Sequence, residues 1–104
     1  MKIQINSVHA LENHEAIARE VEDEVQKKLG QLATHITRVE VHLSDENGEK
    51  GGEHDKRCVM EARLEGHSPL AVTHEAQTIG QAVEGAAGKL KSSLCHVLGR
   101  VHGL

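Results

Sequence analysis

The residues best suited to chemistry in this chain are cations. Lys89, His96 and Arg100 are separated by seven and four residues. On a helix those spacings return to one flank, and Lys91 falls on the opposite flank. A flank of this kind can hold phosphates; it reads equally well as a solubilising face. Lys27 and Lys28 close an earlier helical stretch, at the end where the helix dipole favours positive charge. The middle of that stretch carries Glu20, Glu22, Asp23 and Glu24, so a wide basic surface is not expected.

Other reactive types are present without a recognisable arrangement. Nine histidines are scattered along the chain. His42 and His74 are the pair most worth testing as metal ligands, but they fall on strands that are not expected to be neighbours. Cys95 and His96 are adjacent, and adjacent helical side chains diverge by about 100°, so they do not converge on one ion. The expectation is no metal and no cofactor, with the histidines as solvated surface groups. The serines lie in turns or on the last helix without a nucleophile elbow, and no glycine loop of the phosphate-cradling kind occurs. An enzyme is not expected.

Composition narrows the class. With 104 residues the chain reads as one domain over residues 1–104, with a single modest core. Hydrophobic residues make up 38% and aromatic residues 0%, so the core is aliphatic and the usual platform for stacking single-stranded nucleic acid is missing. A net charge of -4 means that an anionic partner must be met by a local patch. Two cysteines, Cys58 and Cys95, do not make a disulfide framework; Cys58, on the apolar side of a strand, reads as a buried thiol. No leader is apparent and no apolar run approaches the ~20 residues of a membrane span. The chain is read as soluble and cytoplasmic, with no membrane partner.

Positioning these side chains falls to two alternating stretches. In Ile36 to Leu43, Val39, Val41 and Leu43 share one side and Arg38, Glu40 and His42 the other. In Arg57 to Glu65, Cys58, Met60, Ala62 and Leu64 share one side and Arg57, Glu61, Arg63 and Glu65 the other. Both read as strands with one buried and one wet face, paired as the centre of a sheet. Lys2 to Asn6 is a first strand, and Leu70 to His74 a fourth, placed at an edge by Pro69. Ile17, Val21, Val25 and Leu32 mark a helix capped by Asn13 and running to about Leu32, with Lys28 on the apolar stripe as a snorkelling stem. Asp45 to Asp55 reads as a long polar hairpin loop. Thr78 and Gln81 have the spacing of a capping box, and Ile79, Val83, Ala86, Leu90, Leu94, Val97 and Val101 line the helix that follows. The predicted class is α+β, in the order β-α-β-β-β-α, with a four-stranded sheet and both helices packed on one face. The first helix joins two parallel strands by a right-handed crossover.

This order, the run Arg38 to Leu43 and the stretch Glu75 to Leu90 resemble the ribosome hibernation-promoting factor and ribosome-associated inhibitor family, also called the sigma-factor modulation proteins. Glu75, Thr78, Ala82-Val83-Glu84 and Lys89-Leu90 occupy the places of that family's glutamate, aspartate cap, Tyr-x-Ala-Ile-Asp run and Asp-Lys-Leu. Gly80 stands at the tyrosine, and Ser92 stands where a basic residue is common. The resemblance implies a non-enzymatic factor that binds the small ribosomal subunit, occupies the channel of messenger and transfer RNA, and represses translation in stress or stationary phase. Carried over by position, it implies RNA contacts by Lys27, Lys28, Lys89, His96 and Arg100. The alternative is a divergent member acting as a protein-interaction module or homodimer through its charged sheet face, without ribosome binding.

Overall fold

A computed structural model describes residues 1–7, 14–45 and 56–102. Strand β1 (Lys2–Ser7) leads to helix α1 (His14–Leu29) and a 3₁₀ segment (Gly30–His35). Strands β2 (Ile36–Asp45), β3 (Lys56–Leu64) and β4 (Leu70–Ala76) follow, and helix α2 (Ile79–His102) ends the order. The sheet order is β1-β2-β3-β4, with β1 parallel to β2 and the other two pairings antiparallel. The two alternating stretches are therefore the central pair, as their patterns predict.

Register explains the core. One row across the sheet is Ile5, Val41, Met60 and Val72; the next is Ile3, Val39, Ala62 and Leu70. Val39, Val41, Leu43, Cys58, Met60 and Ala62 are fully buried. They share their side of the sheet with the buried stripes of both helices, because side chains two apart on a strand project together. Each fully buried leucine or valine contributes about 1.5–3 kcal/mol relative to exposure. Burial also pushes the Cys58 thiol up to about 12, so it is inert at neutral pH; Cys95 is exposed.

The opposite face is wet and internally neutralised. Arg38 lies opposite Arg63 and Glu40 opposite Glu61, two like-charge pairs that would repel on their own. Oppositely charged neighbours offset this. Glu40 pairs with Arg38 at 3.0 Å and with Arg63 at 3.1 Å, and Arg63 reaches Glu61 at 3.3 Å. At the edge, Arg57 meets Glu75 at 3.1 Å.

One helix boundary and one buried stripe differ from expectation. Helix α1 stops at Leu29, and Leu32 sits in the 3₁₀ segment after Gly30. Leu29, a full turn past Val25, takes the buried position, and Lys28 beside it is only partly covered. In α2 the buried line runs Leu90, Leu94 and Leu98, while Val97 is partly exposed. A spacing of four advances 400° on a helix of 3.6 residues per turn, so a stripe drifts and Leu98 replaces Val97. The predicted Asn13 cap and the Asp45 to Asp55 loop lie outside the described residues, apart from Asp45 at the end of β2.

One turn, one helix cap and one strand irregularity follow from their chemistry. The Leu64 carbonyl accepts from the His67 N–H at 3.4 Å, and Gly66 between them has φ +79°. That is the left-handed position a type II turn reserves for glycine. At the start of α2 the Thr78 hydroxyl accepts from the Gln81 N–H at 3.1 Å, the capping contact expected from the Thr78–Gln81 spacing. At the start of β2 the Thr37 hydroxyl donates to the Arg63 carbonyl at 3.0 Å, beside a register shift between Ile36 and Arg38. No helix among the described residues is long and apolar enough to cross a membrane.

Candidate nucleic-acid interface

The predicted cations separate into two groups. Lys28, at the end of α1, and Lys89, in the middle of α2, line one open groove of about 760 Å³ along the edge of β4. Sequence spacing on a single helix does not reveal this pairing, because it depends on how α1 and α2 lie side by side. Lys27 and His96 are exposed and do not line the groove. His96 lies seven residues beyond Lys89, about 10 Å farther along the axis. The side chain of Arg100 lies outside the described residues, although its backbone is within α2.

Lys89 is held in place. Its ammonium donates to the Thr73 carbonyl of β4 at 2.9 Å. Strand β4 is an edge, where backbone groups lack a strand partner on one side, and a lysine there also discourages pairing with other chains. An ammonium has three donors, so two remain for a ligand. Lys28 reaches the groove as a partly covered stem, in keeping with the snorkelling expected of it.

His74 is the residue that sequence reading misplaces. It is half-buried rather than a fully solvated surface group: register puts it opposite Cys58, in the row of Leu43, on the side that meets the helices. The alternation of Leu70, Val72, His74 and Ala76 carries that signal. Its ring sits against the bare backbone of α2 at Gly85, where an added Cβ would overlap three ring atoms. Gly85 therefore permits the close approach of helix and histidine. His42 lies on the other face and on β2, its Nε2 3.9 Å from a Glu40 carboxylate oxygen, so His42 and His74 do not share a site. Among the described residues no group of three or more His, Cys, Asp or Glu side chains is gathered as a metal site would require.

The groove is not uniformly positive. Glu75 lies on its rim, engaged by both Nε and Nη2 of Arg57 at 3.3 and 3.1 Å. Glu84 is an exposed carboxylate on its α2 wall. The polar amides Gln77 and Gln81 complete the end nearest the start of α2. Two cations on separate elements, a histidine and two amides can together hold an anion with a planar polar attachment.

The family model for the Sigma 54 modulation protein / S30EA ribosomal protein matches residues 3–102. The chain belongs to that family. The match takes in both helices and every strand apart from the first residue of β1, including the groove. It is a ribosome-associated family and not an enzyme family. Solved structures of similar fold include the following two. A ribosomal subunit interface protein from Coxiella burnetii superimposes with TM-score 0.68 at 18% identity, over 93% of this chain and 97% of that one. The N-terminal domain of Thermus thermophilus Protein Y superimposes with TM-score 0.64 at 22% identity, over 93% and 99%. No curated protein matches the chain by sequence. The family's fold accounts for the β-α-β-β-β-α order and for both helices lying on one side of the sheet.

Proposed function

We propose that this protein is a cytoplasmic, non-enzymatic ribosome-binding factor that enters the messenger and transfer RNA channel of the small subunit and represses translation under stress. Its helix side meets ribosomal RNA. Lys28 and Lys89 form the centre of the contact, and Lys27, His96 and Arg100 extend it. The observation that carries this reading is that Lys28 and Lys89, from different helices, line one groove of a chain from a ribosome-associated family. A net charge of -4 is no obstacle, since phosphate contacts act within a Debye length of about 8–10 Å.

A homodimer through the wet sheet face has less support. There Arg38, Glu40, Glu61 and Arg63 already pair within one chain. A second copy would have to displace these contacts and desolvate the charges, which costs more than a new surface pair returns.

The test is sedimentation of purified protein with small subunits across a salt series. Five phosphate contacts predict a slope of log affinity against log salt of roughly -3 to -4, and a loss of about a hundredfold between 50 and 200 mM salt. Messenger and transfer RNA bound beforehand should exclude the protein. Salt-independent binding, or unchanged binding to a channel already filled, would refute the reading.

A further inference from the structure

Beside its two lysines the groove offers a ring and two amides. His74 reaches it from the edge strand, its ring fixed by contact with α2 at Gly85. Gly88, nearly one helical turn on, also lines it, and a Cβ placed there would have no atom within 4 Å. The groove is thus open over Gly88 and bounded by a planar ring at His74. In a chain whose aromatic content is 0%, an imidazole is the flat side chain available for stacking on a base. Gln77 and Gln81 offer amides that each carry a donor and an acceptor, the pairing that glutamine makes with the adenine edge. Lys28 and Lys89 lie on the same groove, with two ammonium donors of Lys89 unused by Thr73.

We propose that this groove takes one unstacked adenine nucleotide of an RNA strand. Its base lies over Gly88 against His74, its edge is read by Gln77 and Gln81, and its phosphate sits between Lys28 and Lys89. The inference rests on the RNA-binding reading above and adds to it a base-selective pocket. Glu75 is engaged by Arg57, whereas Glu84 opposes the phosphate and weakens binding.

The test follows backbone amide resonances of the full chain by NMR during titration with AMP, GMP, CMP, UMP, inorganic phosphate and an adenine trinucleotide. AMP should give saturable shifts at His74, Gln81, Gly85 and Gly88, with affinity at least fivefold above CMP and UMP. Inorganic phosphate should leave Gly88 unmoved. The trinucleotide should bind at least tenfold tighter than AMP; equal affinity would assign the groove to a free nucleotide and overturn the RNA assignment. Gly88→Leu puts a bulky side chain into the space that is open around its Cβ and should abolish the AMP shifts while the rest of the spectrum is retained. Glu84→Gln should tighten AMP binding two- to fivefold. Equal shifts for all bases and for phosphate, or AMP binding retained in Gly88→Leu, would overturn the proposal. Ribosome sedimentation separates the two readings: wild-type protein that pellets with small subunits but ignores AMP rejects the pocket alone. Wild-type protein that fails to pellet rejects the ribosome reading and with it the RNA assignment of the groove.

Discussion

Reversing both groove lysines, Lys28→Glu with Lys89→Glu, should lower affinity for the small subunit by a hundredfold or more while the chain stays folded. Each reversal removes a phosphate contact and puts a repulsive charge in its place. Neither residue is among the buried core. Lys89→Glu also gives up the bond to the Thr73 carbonyl, a charge-assisted bond worth about 1–2 kcal/mol at an exposed edge. Far-ultraviolet circular dichroism should therefore be unchanged. The salt slope should fall by about two, one for each lost contact. Lys91→Glu, on the opposite flank of α2 and exposed, should cost less than a third of that free energy. A double variant that pellets like wild type would remove the groove from the interface.

The second large effect is a change of sign between two glycines of one helix. Gly85→Ala should destabilise the fold by about 1–3 kcal/mol, because the new methyl group overlaps the His74 ring in a packed setting where neighbours give little. Gly88→Ala should stabilise it by about 0.5–1 kcal/mol, since nothing lies within 4 Å of the added Cβ and alanine is the better helix former. Removing the ring reverses the first result. In a His74→Ala background, Gly85→Ala should become stabilising by about the same amount as Gly88→Ala, a coupling well above the error of a double-mutant cycle. In a domain of this size 1 kcal/mol moves Tm by about 4–8 °C, so thermal melts of the variants decide the matter. If Gly85→Ala melts above wild type with His74 in place, the contact does not constrain the fold.

These two effects show what was legible in the sequence and what was not. Val39, Val41 and Leu43 declare their strand because alternation is local and one residue type sits on each side. The parallel β1–β2 pairing follows from an intervening helix. Leu29 and Leu98 were harder: a helical stripe drifts around the axis, and Gly30 diverts the chain into a 3₁₀ segment just where α1 would have continued. Lys28 and Lys89 were each identifiable as cations at exposed helical positions. Their place on one groove was not, because it is set by the packing of α1 beside α2 and by the edge of β4. His74 was legible in principle. Leu70, Val72, His74 and Ala76 alternate, and a glycine at the matching level of α2 is the complement of a ring that must come close. The ribosome-associated family is legible through likeness and not through charge, since a chain of net charge -4 gives no global sign of an anionic partner.

The most direct test of the central claim is site-specific photo-crosslinking to ribosomes. A crosslinking amino acid at Ser92, on the groove, is compared with one at Val59, in the middle of the outer sheet face. The account predicts that Ser92 crosslinks to small-subunit ribosomal RNA at the messenger and transfer RNA channel, that the yield falls with salt, and that Lys28→Glu with Lys89→Glu abolishes it. Val59 should give little RNA crosslinking under the same conditions. Strong RNA crosslinks from Val59 with none from Ser92, or protein dimers through Val59 in place of ribosomal products, would contradict it.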